Sequence, residues 1–67
     1  MELRDVLALL ERAVEAAGSQ TAWAEAHKVS PQYVSDVLRR RRDPGESILD
    51  GLGLERVVTY RQRTGNP

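Results

Sequence analysis

The chain has no cysteine and a single histidine, His27. The first absence excludes a disulfide staple, and the two together exclude a zinc site, which draws on several Cys or His ligands. Long apolar runs are missing as well. None approaches the roughly 20 residues that cross a bilayer, and Met1-Glu2-Leu3-Arg4-Asp5 lacks the basic start and apolar stretch of a secretory signal. A cytoplasmic protein with no membrane partner is the expectation. At 67 residues and 7.5 kDa the chain makes one small domain, near the size where a single apolar core is marginal without help. Packing, helix caps or self-association must supply what a staple would have. No small-molecule pocket, metal or cofactor is expected. Catalysis is not expected either, because one histidine without a positioned Ser, Cys or paired carboxylate forms no catalytic constellation.

Net charge is also absent: the formal value is zero and the pI is near 6.6. Overall basicity, the usual footprint of a nonspecific polyanion binder, is therefore missing. The distribution is uneven, however. Residues 1–27 hold five carboxylates against two arginines, a net of −3, whereas residues 28–67 hold eight basic and five acidic side chains, a net of +3. Positive charge is gathered in the C-terminal part of the chain.

Apolar spacing and cap residues divide what is present into four short helices. Leu3, Val6, Leu7, Leu10, Val14 and Ala17 recur at i, i+3, i+4 and i+7, with Arg4, Asp5, Glu11, Arg12 and Glu15 on the other side, which predicts a helix over 3–17. Gly18 is placed to end it in the left-handed conformation, and Ser19 to cap a second helix over about 20–27. Ser30 caps a third, with Pro31 at its first position, where the missing amide proton costs nothing; this helix should reach about 40. Asp43, Pro44 and Glu46 repeat the start signal for a fourth helix over about 44–51, with Ile48, Leu49 and Leu52 on its buried side and Gly51 and Gly53 at its end. Residues 55–61, ERVVTYR, are rich in β-branched and aromatic residues and read as a strand. The fold class is mainly α with one C-terminal β-strand; residues 1–62 form the domain and 63–67 a flexible tail.

The most informative stretch is residues 20–39, QTAWAEAHKVSPQYVSDVLR, which reads as two helices joined by a tight turn. Trp23, Ala24, Val29, Val34 and Val37 are its apolar positions, and Ala24 is small where the two helices would cross. Trp23 is expected in the core, and His27 partly buried in place of an aliphatic. Gln32, Tyr33, Ser35, Asp36 and Arg39 remain on the outside of the later helix, and their hydrogen-bonding groups suit base edges and phosphates in a major groove. That is the layout of a helix-turn-helix, with double-stranded DNA as the expected partner. Gln32 is the expected base reader, since its amide can bond adenine as both acceptor and donor. Asp36 is expected to pair with Arg39 or Arg40 at helical spacing, the alternative being a cytosine amino group. Tyr33 has two even readings: a phosphate or thymine-methyl contact, or a half-buried aromatic at the rim. Arg39, Arg40, Arg41 and Arg42 overshoot what the helix dipole rewards and read as a phosphate clamp.

With those residues placed, residues 3–54 resemble the lambda-repressor and Cro-like family of phage helix-turn-helix regulators. SQTAWAEAHKVSPQYVSDVL and RRDPGESILDGLGL carry the likeness. The resemblance implies that Gln20 touches a phosphate from the start of the second helix, that Pro31, Gln32, Tyr33, Ser35 and Asp36 lie on the groove side of the third, and that dimers bind palindromic operators cooperatively. Lys28 stands where the family usually has a left-handed Gly, at a cost on the order of 1 kcal/mol, and Arg40 where many relatives place a Gly after the third helix. Each can add a phosphate contact in exchange.

A homodimeric, sequence-specific repressor or regulator of phage or prophage type is the expected function, acting by occlusion of polymerase. Alternatives are a recombination or packaging factor using the same motif, and an antitoxin that binds a protein. An isolated strand needs a partner, so Val57, Val58 and Tyr60 are the expected dimer contacts, each strand pairing with its copy across a two-fold axis.

Overall fold

A computed structural model of the chain describes residues 1–57. Four helices follow one another: α1 (Leu3–Ala17), α2 (Gln20–Ala26), α3 (Pro31–Leu38) and α4 (Glu46–Gly51). None is long and apolar enough to cross a membrane.

The first three helices start on side-chain hydrogen bonds, the second and third at the serines expected to cap them. Asp5 Oδ2 reaches back to accept the Glu2 amide at 2.9 Å, so an acid in the first turn both satisfies a donor and faces the positive end of the helix. Ser19 Oγ accepts from the Ala22 amide and Ser30 Oγ from the Tyr33 amide, each at 3.0 Å. The fourth start is a correction. Asp43 does not cap it; α4 begins at Glu46, behind Gly45 in extended conformation. The cause lies in tertiary contacts: the Gly45 amide donates to the Tyr33 hydroxyl at 2.6 Å, and the Pro44 carbonyl accepts from Arg56 Nη2 at 2.8 Å. Residues 44 and 45 are thereby held outside the helix that would have begun there.

The helix ends share one device. The Lys28 and Val29 amides donate to the Glu25 and Ala24 carbonyls, the Arg40 and Arg41 amides to Val37 and Asp36, and the Gly53 and Leu54 amides to Asp50 and Leu49. This is the same pair of closing bonds three times, each built on a left-handed residue. Those residues are Lys28 (φ 59°), Arg40 (φ 61°) and Gly53 (φ 72°), and Gly18 (φ 103°) ends α1. The second and third helices consequently stop at Ala26 and Leu38, slightly short of expectation.

Leu7, Leu10, Trp23, Ala24, Val34, Val37 and Ile48 form the core, with Ala13, Val14, Val29, Tyr33, Leu38 and Leu52 packed around it. Ala24 is fully buried, and its single methyl allows α2 and α3 to pack closely. Three expected positions on the apolar side of α1 fall outside this core: Leu3 is 44% exposed, Val6 is half-buried without joining the cluster, and Ala17 is exposed at the helix end. His27 is a further correction. It is exposed rather than partly buried, because it follows the last turn of α2 and lies on the outside of Trp23, ring centroids 4.2 Å apart. Of the strand expected over 55–61, residues 55–57 have no strand conformation; the rest of it, with Val58 and Tyr60, lies outside the described residues, as does the tail.

Candidate nucleic-acid interface

Turn geometry and caps set the direction in which α3 presents its side chains. Ser30 and Pro31 fix its start, and the apolar pair Val34 and Val37 is driven fully into the core. The residues between must then face outward by helical periodicity. Gln32 is exposed; Ser35 and Asp36 are half-exposed. Beyond the helix, Arg39, Arg40, Arg41 and Arg42 are all exposed, and Lys28 is exposed in the turn that leads in. Gln20 is exposed at the first position of α2.

Asp36 departs from its expected pairing. Its Oδ1 accepts a hydrogen bond from Gln32 Nε2 at 2.9 Å, a Gln-to-Asp contact at i, i+4 that helical geometry favours. No arginine bridges Asp36 among the described residues; the one ion pair there joins Arg4 and Glu2 at 3.1 Å. Gln32 thus keeps its carbonyl oxygen and one N–H free, side by side, and the amide is held in one orientation. An acceptor beside a donor is the pattern complementary to adenine N6 and N7.

Lys28 and the four arginines have no carboxylate within 4 Å among the described residues. Cations beside a helix C-terminus are stabilised by about 0.3–1 kcal/mol each at most, and here the closing bonds of the turn already occupy the carbonyls of Asp36 and Val37. Five exposed positive charges without a described carboxylate partner therefore flank α3 along the chain, Lys28 before it and Arg39–Arg42 after it. Two of them, Lys28 and Arg40, occupy left-handed backbone that an L side chain disfavours by roughly 1–2 kcal/mol. Glycine, which stands at the other two left-handed positions, would relieve it; strain of this kind is characteristic of functional sites.

Tyr33 combines features of a rim residue with a bond no sequence pattern suggested. Its ring is half-buried against the core, its hydroxyl accepts the Gly45 amide, and the guanidinium of Arg42 lies 4.6 Å from the ring centroid. Gly45 and Arg56 were not among the expected site residues. Their partners are twelve positions away in sequence, too far for helical spacing to reveal. The Gln32–Asp36 bond was not among the expected pairings either, although its i, i+4 spacing is a signal that could have revealed it.

A groove of about 510 Å³ opens between the start of α1, α4 and residues 54–57, lined by Met1, Leu3, Val6, Leu49, Leu54 and Val57 among others. Met1, Leu3 and Val57 are the large apolar side chains it leaves exposed, at 81%, 44% and 73%.

No protein-family model, curated protein or solved structure matches the chain.

Proposed function

We propose that the chain is a sequence-specific DNA-binding transcriptional regulator of helix-turn-helix type, acting as a homodimer on a palindromic operator and repressing by occlusion. In this reading α2 and α3 are the helix-turn-helix and α3 enters the major groove. The observation that carries it is the outer face of α3, where the Gln32–Asp36 pair lies on a helix preceded by exposed Lys28 and followed by exposed Arg39–Arg42, none with a described carboxylate partner. Hydrogen-bonding groups on the helix give base readout and the cations flanking it give backbone attachment, the division of labour that specific DNA binding needs.

Gln32, Ser35 and Asp36 are the base-reading residues; Gln20, Lys28 and Arg39–Arg42 hold phosphates. A second copy places its α3 about 34 Å away, one helical turn along the duplex. The exposed apolar rim of Met1, Leu3 and Val57 is the surface offered for self-association, and removal of such surface from water supplies stability that a chain of this size lacks. Selection of bound duplexes from a random pool tests the reading. An enriched inverted repeat supports it, and recovery of no preferred sequence removes specificity from the proposal.

A further inference from the structure

The segment between α3 and α4 carries the densest charge in the chain, Arg39 to Arg42, yet the closing bonds that tie the Arg39, Arg40 and Arg41 amides to α3 stop short of Arg42. Four flexible arginine side chains on an irregular segment would lose much of their rotamer freedom on meeting a phosphate backbone. One side chain counters this. Tyr33 projects from the first turn of α3, is braced by the core on one side, and touches the segment twice: the hydroxyl takes the Gly45 amide at 2.6 Å and the ring carries the Arg42 guanidinium at 4.6 Å. A β-carbon on Gly45 would collide with the same hydroxyl, so the close approach depends on glycine at that position. Arg56 closes the far side by donating to the Pro44 carbonyl.

Resting on the DNA-binding reading above, we infer that Tyr33 is a positioning residue whose effect on DNA binding is exerted through Arg42. Ring and hydroxyl together hold the arginine segment against α3 before DNA arrives, so that Arg42 meets its phosphate already oriented. The Gly45 amide occupies an acceptor site on the hydroxyl, and the ring face is covered by the guanidinium. Direct base contact by Tyr33 is not needed for this role.

The test has an arm in the free protein and an arm with duplex DNA. In solution NMR of the free protein, the Arg42 δ protons should be displaced upfield by the Tyr33 ring, and Tyr33→Leu should abolish that displacement. Tyr33→Phe, which keeps the ring, should retain it while the Gly45 amide exchanges faster by up to roughly tenfold, the scale of one hydrogen bond. Arg42 protons at unstructured shifts, or Gly45 exchange unaffected by Tyr33→Phe, would overturn the inference whether or not DNA is bound. With duplex DNA, Tyr33→Leu and Arg42→Ala should each lower the slope of log K against log salt by about 0.9, the loss of one phosphate contact. The double variant should fall no further than either single one. Additive losses in the double variant would show Tyr33 to act on DNA by itself. Thermal melts separate these results from unfolding, and should Tyr33→Leu not fold, the Tyr33→Phe exchange result and the wild-type Arg42 shift decide. Absence of duplex binding by the wild-type chain would remove the parent reading, leaving the seating of Arg42 to the first arm.

Discussion

Gly51 sits directly against Trp23: a β-carbon there would lie 3.0 Å from ring carbons Cη2 and Cζ2 of the indole, and 3.0 Å from Nδ1 of His27. The last residue of α4 is thus seated on the aromatic that closes the core from the α2 side. Gly51→Ala brings two opposing effects. Alanine favours a helix by up to about 1 kcal/mol, while forced overpacking costs typically 1–3 kcal/mol. The rigid indole cannot swing aside, so overpacking should win by on the order of 1 kcal/mol, or roughly 4–8 °C in a domain of this size. Thermal unfolding followed at the Trp23 signal measures it; a raised midpoint would show that the indole repacks freely.

Local rules made most of this fold legible. The bounds of α1, the serine caps of α2 and α3, the left-handed Gly18 and the core placement of Trp23, Ala24, Val34 and Val37 all follow from spacing and cap chemistry within a few residues. What escaped was long-range. The start of α4 moved to Glu46 because Tyr33 and Arg56 hold residues 44 and 45, and neither partner is signalled by local pattern. His27 was misread for a related reason: periodicity locates a face, but the end of a helix has none left to offer. At the candidate site the residue types were legible and their pairings were not, Asp36 turning to Gln32 instead of to arginine.

The two non-glycine left-handed positions separate fold from function. Lys28→Gly and Arg40→Gly each relieve about 1 kcal/mol of backbone strain and give back roughly 0.4–1 kcal/mol through the freer unfolded chain. Stability should therefore change little. Affinity for duplex DNA should nonetheless fall, with a salt slope reduced by about 0.9 for each. Gly18→Ala is the control. A β-carbon there meets open space at φ 103°, so the full strain of a positive φ is felt and stability should drop by about 1 kcal/mol or more. A large loss of stability in Lys28→Gly would show that the lysine is retained for the fold.

Replacing Arg41 and Arg42 together by Ala tests backbone attachment. Both are exposed and neither has a described carboxylate partner, so the melting temperature should stay close to that of the parent chain. Binding to specific and random duplexes should weaken alike, with the salt slope lowered by about 1.8 for two contacts. An unchanged slope would remove the clamp.

Gln32 should behave differently, because its role is discrimination. Gln32→Ala should lose roughly 1–3 kcal/mol on the best site and little on random duplexes. Asp36→Ala frees the Gln32 amide that Asp36 now holds at 2.9 Å, and should reduce discrimination at the same base pair without altering the salt slope. Titrations against the selected site and its single-base variants distinguish the two. Equal losses on all sequences for Gln32→Ala would make it a positioning contact.

Self-association is the remaining part of the reading with a direct physical signature. Met1, Leu3 and Val57 are exposed at 81%, 44% and 73% around one groove, and side chains this open contribute little to the stability of an isolated copy. Charges placed there should consequently leave the monomer fold intact and act on the dimer alone. Leu3→Glu with Val57→Asp is expected to give a monomer whose helical content matches the parent and whose grip on a full palindrome falls to that of a half-site. Where the dimer supplies part of the stability, the parent's melting temperature should rise with protein concentration and the variant's should not, since association stabilises the folded state by mass action. Light scattering at micromolar concentration gives the deciding comparison: a monomeric parent chain, or a double variant that remains dimeric, would show that this rim is not the interface.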